Sequence, residues 1–183
     1  MLITLSGLPG SGTSTVARTV ASRLGLDHLD GGTVFRTLAS EHGVSLAEFA
    51  RIAEADDTID RALDDRLIQR ARQGDVLLES RLAGWLATRA DVAGLRVWIA
   101  CDDVERARRV GARDGHDVAE ALAANEEREA SERTRYLAYY GIDLTDLSIY
   151  DLIVDSTSTG PEEIIEQIVA GAASRSSPEP RST

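Results

Sequence analysis

Residues 7–14 read Gly-Leu-Pro-Gly-Ser-Gly-Thr-Ser, between a short apolar run at residues 2–6 and an amphipathic stretch that starts at residue 13. A strand, a glycine-rich loop and a helix in that order form the usual setting of a phosphate-binding loop. The segment fits the pattern G-x-x-x-x-G-K-[ST] at Gly7, Gly12 and Ser14, whereas Thr13 stands where the pattern has lysine. The sequence therefore predicts a polyphosphate ligand, a magnesium ion and an α/β fold.

The loop lacks lysine because the whole chain does: all 20 residues counted as lysine or arginine are arginine. A cation needed at the phosphates must therefore come from arginine. The net charge of −11 argues against nonspecific nucleic-acid binding, which needs a basic surface, so we expect no nucleic-acid partner.

Length and composition limit the protein class. A chain of 183 residues predicts one domain with a core of its own. The single cysteine, Cys101, excludes an intramolecular disulfide, and no apolar run approaches 18 residues. We find no secretion signal, and we expect a cytoplasmic monomer without a membrane partner.

Short strand-like runs alternate with helical patterns, which predicts a parallel α/β sheet. The predicted strands cover residues 2–6, 27–29, 75–79, 95–100 and 151–155. The predicted helices cover residues 13–24, 33–42, 46–55, 58–73, 81–87, 103–113, 118–140 and 161–172. Residues 174–183 contain two prolines, four serines and no apolar period, so we expect a disordered tail there.

Two further clusters lie beside predicted strand ends. Residues 30–36 form a glycine turn and a helix start that carries Arg36; alone, they are also compatible with an ordinary turn and a solvated arginine. In residues 76–85 an apolar strand is followed at its carboxyl end by Glu79 and Arg81, where ligands bind in open α/β sheets. A helix cap at Glu79 or Ser80 is the alternative.

A third cluster is rich in arginine. Arg109 and Arg113 are four residues apart and Arg128 and Arg135 seven apart, so each pair lies on one helix face. Pairing with nearby glutamates on a solvated surface is one interpretation; an arginine lid that closes over phosphates is the other. The three histidines lack the spacing of metal ligands, which argues against zinc.

In this order and spacing, the clusters resemble the archaeal type of cytidylate kinase, within the nucleoside monophosphate kinases. The resemblance covers residues 1–172 and is carried by residues 7–14, 32–36, 79–85, 128–136 and 140–152. It implies a five-stranded parallel sheet with helices on both faces, in a single kinase domain at residues 1–173 with the tail at 174–183. It also implies a helical insert that binds the nucleoside monophosphate (NMP), near residues 33–73, and a short lid near 109–135.

The activity implied by the resemblance is transfer of the γ-phosphoryl group of ATP to CMP or dCMP with Mg²⁺, giving CDP or dCDP and ADP. A kinase for UMP or AMP is one alternative, and a noncatalytic nucleotide-binding protein is another. The second set of arginines speaks against a pure binding protein, because such a protein would not need both an acceptor set and a lid set.

The resemblance also implies roles for individual residues. The ATP phosphates would lie against Gly7, Leu8, Pro9, Gly10, Ser11, Gly12, Thr13, Ser14 and Thr15. The acceptor nucleotide would contact Arg36, Arg81, Gly84 and Trp85. Ser14 would ligate the metal, with Glu79 holding a metal-bound water. The catalytic arginines of the lid would be Arg109, Arg113, Arg128 and Arg135. Thr33 stands where the family has aspartate, with Asp30 as the nearby carboxylate.

Overall fold

A computed structural model describes residues 1–176 and contains one five-stranded parallel sheet. Its strands are β1 (Leu2–Gly7), β2 (Asp27–Asp30), β3 (Val76–Glu79), β4 (Leu95–Ala100) and β5 (Leu152–Asp155). They lie side by side in the order β2-β3-β1-β4-β5. The predicted fold class, a parallel sheet with helices on both faces, is confirmed.

Eight helices connect and cover the strands in the described part of the chain. They are α1 (Thr13–Leu24), α2 (Gly31–Glu41), α3 (Leu46–Ala55), α4 (Asp57–Arg72), α5 (Ala83–Arg89), α6 (Asp103–Asp114), α7 (Val118–Tyr140) and α8 (Pro161–Ser176). The predicted bounds of α1, α3 and α7 agree with the structure. None of the described helices is long and apolar enough to cross a membrane.

The core has two layers because the central strands are buried on both faces. Ile3 and Leu5 of β1 pack with α1 and α8 on one face, whereas Leu2 lies in the cluster formed by α4, α5 and α7 on the other. This packing on both faces explains why β1 is buried throughout. Since all strands are parallel, their carboxyl ends form one edge, where Gly7 and Glu79 lie.

Two helices start two residues away from their predicted first residues. α2 begins at Gly31, two residues early, because the Asp30 carboxylate accepts a hydrogen bond from the Gly32 amide and caps the helix. α5 begins only at Ala83, so Arg81 lies in the loop after β3.

α8 continues through Ser176, so residues 174–176 belong to this helix and not to the predicted tail. The helix thus ends four residues after its predicted end at residue 172. The remainder of the predicted tail, residues 177–183, lies outside the described residues.

Three helices, α2, α3 and α4, occupy the chain between β2 and β3 and pack against α7. The Tyr139 hydroxyl donates to the backbone carbonyl oxygens of Ala53 and Glu54, which ties α7 to α3. Phe49 of α3 is fully buried. The predicted bounds of the insert, 33–73, and of the lid, 109–135, stay predictions about function.

Candidate active site

The glycine-rich loop joins the end of β1 to the start of α1. Gly10 and Gly12 have φ angles of +85° and +90°, which favour glycine. A Cβ on Gly10 would also lie 2.5 Å from the backbone carbonyl oxygen of Arg106, so α6 packs directly against the loop. No side chain caps α1 at Gly12, which leaves the first amide groups of the helix available to an anion.

A cleft of about 670 Å³ opens beside this loop. The loop lines one side through Leu8, Pro9, Gly10, Thr13 and Ser14. The opposite side consists of residues from α2, α3, α4 and α7 and from the loop after β3. A cavity of this size and shape is typical of a small-molecule site.

A chain of three polar side chains starts in the cleft with Ser14 and Glu79 and ends at His28, which does not line it. The Ser14 hydroxyl donates to Oε1 of Glu79 across 2.5 Å, and Oε2 of Glu79 lies 2.9 Å from Nε2 of His28. Glu79 is buried, and its two partners fix both carboxylate oxygens. The predicted pair of Ser14 and Glu79 is therefore brought together at the strand ends.

Two predicted arginines meet at a carboxylate that was not predicted. Arg81 donates from Nε to Glu132 across 2.9 Å and from Nη1 to the backbone carbonyl oxygen of Gly7 across 2.6 Å. Arg128 donates from Nε to the other oxygen of Glu132, also across 2.9 Å. Arg81, Arg128 and Glu132 all line the cleft, and only 5% of Glu132 is exposed.

Arg36 lies at the rim of the cleft on α2, with about half of its side chain exposed. It donates to the Thr33 hydroxyl across 2.8 Å, and that hydroxyl bonds Asp30. Arg36 is itself 3.4 Å from Asp30. Thr33 and Asp30 thus act together to hold Arg36, in place of a single aspartate at position 33.

Arg135 is buried at the far end of the cleft. Its Nε donates to Asp60 across 2.7 Å and its Nη1 to the Ser131 hydroxyl across 2.7 Å. The guanidinium also lies over the Phe35 ring, 5.5 Å from its centroid. Arg135 therefore belongs to the end of the cleft next to the inserted helices, away from the glycine-rich loop.

Arg109 and Arg113 lie on α6 but in different surroundings. Arg109 donates to the Ser156 hydroxyl and backbone carbonyl, and the Ser156 hydroxyl donates to the carbonyl oxygen of Ser11 in the loop. Arg109 does not line the cleft, whereas Arg113 does, with two thirds of its side chain exposed and paired to Asp114. The structure thus separates the four predicted lid arginines into distinct environments.

Gly84 and Trp85 differ most from their predicted positions, because neither lines the cleft. Gly84 faces Tyr150, whose ring would lie 2.6 Å from a Cβ at this position. Trp85 packs against the core cluster between α4, α5 and α7, with Arg89 over its ring. α5 starts after Arg81, and these positions face the protein interior and Tyr150, so their contact with the acceptor stays a prediction.

Two buried aspartates of α4 escaped the sequence analysis. Asp64 accepts a hydrogen bond from the Tyr140 hydroxyl across 2.6 Å, and burial raises its pKa to about 7. Burial also raises the pKa of Asp60, although Arg135 opposes the shift. The sequence indicates their burial, because Asp60 and Asp64 lie at helical spacing on the same face of α4 as the buried residues Leu67 and Ala71.

Glu132, His28 and Arg106 were also missed as site residues. Arg106 is buried and donates to the Pro9 carbonyl oxygen and to Glu129, which fixes α6 and α7 to the loop. Glu132 lies in the segment 128–136 that carries the resemblance, and the sequence suggests it only as a glutamate that could pair with Arg128 on a solvated surface. None of the three carries a local motif.

Magnesium fits the chemistry of Ser14 and Glu79. No group of three or more histidine, cysteine, aspartate or glutamate side chains that could hold a metal occurs within residues 1–176. Magnesium needs no such cage, because it commonly binds one or two protein oxygens together with waters and phosphate oxygens. The hydroxyl and carboxylate lie together next to the anion-binding end of α1.

Comparison with known proteins gives close sequence relatives. The model of the cytidylate kinase-like family matches residues 2–158. The chain is 50% identical over 171 residues to the cytidylate kinase of Halorubrum lacusprofundi, covering 93% of this chain and 88% of that protein. It is 45% identical over 170 residues to the cytidylate kinase of Pyrococcus horikoshii, covering 93% and 87%.

Solved structures share the fold at low sequence identity. A gluconokinase from Sinorhizobium meliloti is 21% identical, with a TM-score of 0.62 and 94% and 91% of the two chains covered. A shikimate kinase from Aquifex aeolicus is 17% identical, with a TM-score of 0.54 and 96% and 98% covered. At this identity the likeness extends to the fold alone.

Proposed function

The chain belongs to the cytidylate kinase-like family, and from that premise we propose that it transfers the γ-phosphoryl group of ATP to CMP or dCMP. The single observation that carries the proposal is the composition of the cleft. The uncapped end of α1 faces it from one side, and Arg36, Arg81 and Arg128 line the other. Two phosphate-bearing molecules, a triphosphate and a monophosphate, can therefore meet between a helix end and a set of guanidinium groups.

The loop is the proposed site of the ATP phosphates. Its backbone amides lie at the start of α1, where both the free donors and the helix dipole favour anions. Ser14 and Glu79 would hold Mg²⁺, directly and through a water, while His28 keeps the carboxylate oriented. When bound, the metal ion would neutralise part of the charge on the phosphates.

Arg36 and Arg81 are the proposed binding residues for the acceptor phosphate. A phosphate oxygen is anionic at neutral pH, so the acceptor needs no strong general base. The main requirements are to offset repulsion between two anions, to hold them in line and to exclude water. Planar guanidinium groups fit phosphate oxygens with paired donors, which suits them to this task.

In this proposal, arginine side chains supply the positive charge that lysine supplies in other phosphate-binding loops. Arg128 lines the cleft with its Nη groups free of hydrogen bonds within the described chain, so it can reach the transferring group. Arg109 lies near the loop, with Nη1 3.8 Å from the position of a Cβ on Gly12. Thr13 would then contribute chiefly through its backbone amide.

Asp60 and Arg135 are the proposed binding residues for the pyrimidine base. Oδ1 of Asp60 and Nη2 of Arg135 make no hydrogen bond within residues 1–176, which leaves one acceptor and one donor on this ion pair at the cleft. Cytosine presents an amino donor next to a ring-nitrogen acceptor, whereas uracil presents the reverse. The pair therefore favours CMP over UMP.

The proposal includes a monomeric enzyme. We also propose that it acts in the cytoplasm, where it would meet its nucleotide substrates.

A coupled ADP-release assay with CMP, dCMP, UMP, AMP and GMP tests the proposal, at low and high salt and with and without Mg²⁺. We expect CMP or dCMP to be used in preference to the others and Mg²⁺ to be required. The rate with UMP tests whether the enzyme recognises the order of hydrogen-bond donor and acceptor on the base, which is reversed between cytosine and uracil. AMP tests the size of the pocket, because adenine has the same donor and acceptor order as cytosine. Equal rates with all five monophosphates would contradict the assignment.

A further inference from the structure

Glu132 is shared by two arginines that come from different parts of the chain. Its Oε2 accepts from Nε of Arg81, in the loop after β3, and its Oε1 accepts from Nε of Arg128, one turn earlier on α7. The two distances are both 2.9 Å, and the Glu132 side chain is 6% exposed. One carboxylate thus fixes the relative position of two guanidinium groups.

The way in which Glu132 binds these groups determines which donors stay free. In both arginines it takes the Nε donor and leaves the Nη end unbound by the carboxylate. Nη1 of Arg81 donates to Gly7, which ties the group to the end of β1. Nη2 of Arg81 and both Nη atoms of Arg128 make no hydrogen bond with residues 1–176, and both side chains line the cleft.

We infer that Glu132 is a positioning residue that holds Arg81 and Arg128 together so that their free Nη donors converge on the phosphoryl group during transfer. This inference rests on the proposed kinase function. We infer no contact between Glu132 and a substrate atom. Glu132 acts by holding the two arginines in position.

Electrostatics supports such a role. Two guanidinium groups placed side by side in a partly buried site repel each other, and an ionised carboxylate between them removes that cost. Burial by itself would raise the pKa of Glu132, but Arg81 and Arg128 outweigh it and hold the pKa below its ordinary value. Hydrogen-bond donors that are already held in place need not reorganise when charge develops in the transition state. Such preorganisation is a main source of rate enhancement in enzymes.

The test compares Glu132→Gln and Glu132→Asp with the wild type in steady-state kinetics. Glutamine keeps one carbonyl acceptor and places an amide against the second Nε donor, so the pair of arginines separates. We expect kcat to fall about 10- to 100-fold, the range for losing an outer-shell partner at a metal site, with little change in KM for ATP. Aspartate keeps the charge but is one methylene shorter, so it should restore part of kcat.

Asp151→Asn is the matched control. Asp151 is also a carboxylate shared by two arginines, Arg96 and Arg175, but it lies beside the amino ends of β4 and β5, at the opposite edge of the sheet. This variant should lose thermal stability and keep kcat. A purely structural role of Glu132 would give the same result for the Glu132 variants.

A second readout uses ADP, aluminium fluoride and CMP, which together mimic the transferring phosphoryl group between its two neighbours. Glu132→Gln should bind this mixture at least about tenfold more weakly than the wild type while binding ADP alone equally well. A folded Glu132→Gln variant with wild-type kcat would overturn the inference, whether its KM for CMP is unchanged or lower. A lower KM would mean that Glu132 competes with the acceptor phosphate for the arginines. An inactive wild type would instead refute the proposed function.

Discussion

The two sides of the cleft are built in opposite ways. The loop side uses backbone groups of eight consecutive residues, 7–14, and depends on two glycines with positive φ. The α7 side uses charged side chains that are distant in sequence: Arg81 and Glu132 are 51 residues apart, and Asp60 and Arg135 are 75 apart. The first is a local motif, and the second is assembled by the fold.

This difference determines how each side responds to substitution. A side chain lost from the loop changes one contact, because the backbone amides remain. A charged group lost from the α7 side leaves a buried partner without its counter-charge, which is costlier than the contact itself. The α7 side should therefore be the more sensitive of the two.

Arg81→Ala should have the largest effect. It removes a donor to the acceptor phosphate and leaves Glu132 buried beside Arg128 alone. We expect kcat/KM for CMP to fall about 100-fold or more, since two charge-assisted contacts at about 1.5–3 kcal/mol each are affected. Arg23→Ala, which breaks an exposed pair with Glu162 between α1 and α8, is the control and should keep wild-type kinetics. Wild-type kcat/KM in folded Arg81→Ala would remove the proposed sensitivity of this side.

Ser14→Ala and Thr13→Ala compare neighbouring positions within the loop. Ser14 supplies the oxygen that contacts Glu79, and alanine removes it, so we expect a higher Mg²⁺ requirement and turnover lowered about tenfold or more. Thr13→Ala keeps the backbone amide and should change turnover much less, and less than Arg128→Ala does. Equal damage from both loop substitutions, with circular dichroism unchanged, would assign the Thr13 hydroxyl a direct role.

The contrast also explains which features the sequence could predict. The loop, all five strands and the pairing of Ser14 with Glu79 follow from short segments and from the rule that parallel strand ends share one edge. The direction in which Gly84 and Trp85 face could not be predicted, because it depends on the start of α5, which lies two residues later than predicted. Asp60 and the role of Glu132 were missed because the contacts of Asp60 with Arg135 and of Glu132 with Arg81 depend on the packing of α7 on α4 and on the loop after β3.

Asp60→Asn should weaken base discrimination more than overall catalysis. An asparagine amide offers a donor where the carboxylate offered an acceptor, so the ratio of kcat/KM for CMP over UMP should fall about tenfold. Asp65→Asn, on the exposed face of the same helix, should leave the ratio unchanged. An unaltered ratio in Asp60→Asn would exclude this end of the cleft as the base site.

Asp64→Asn should give the smallest effect, on stability alone. Burial raises the pKa of Asp64 from 3.8 to about 7, whereas the unfolded chain keeps the ordinary value. Between these pH values the folded state holds a proton that the unfolded state lacks, so this contribution to stability is lost as the pH rises towards 7. Thermal unfolding from pH 5 to 8 should show the wild-type Tm falling by a few degrees relative to Asp64→Asn, roughly as expected for 1 kcal/mol or more in a chain of this size. A pH-independent difference would contradict the assignment.

The central claim is that ATP binds at the glycine-rich loop and CMP binds at the arginines across the cleft. Calorimetric titration of Arg36→Ala tests this claim most directly. Arg36 is half exposed, so its loss should not disturb folding. We predict that affinity for CMP falls about tenfold or more, the equivalent of one charge-assisted hydrogen bond, while affinity for a non-hydrolysable ATP analogue stays unchanged. A fall in affinity for the ATP analogue with unchanged CMP binding would contradict the account, because it would mean that the two sides are reversed.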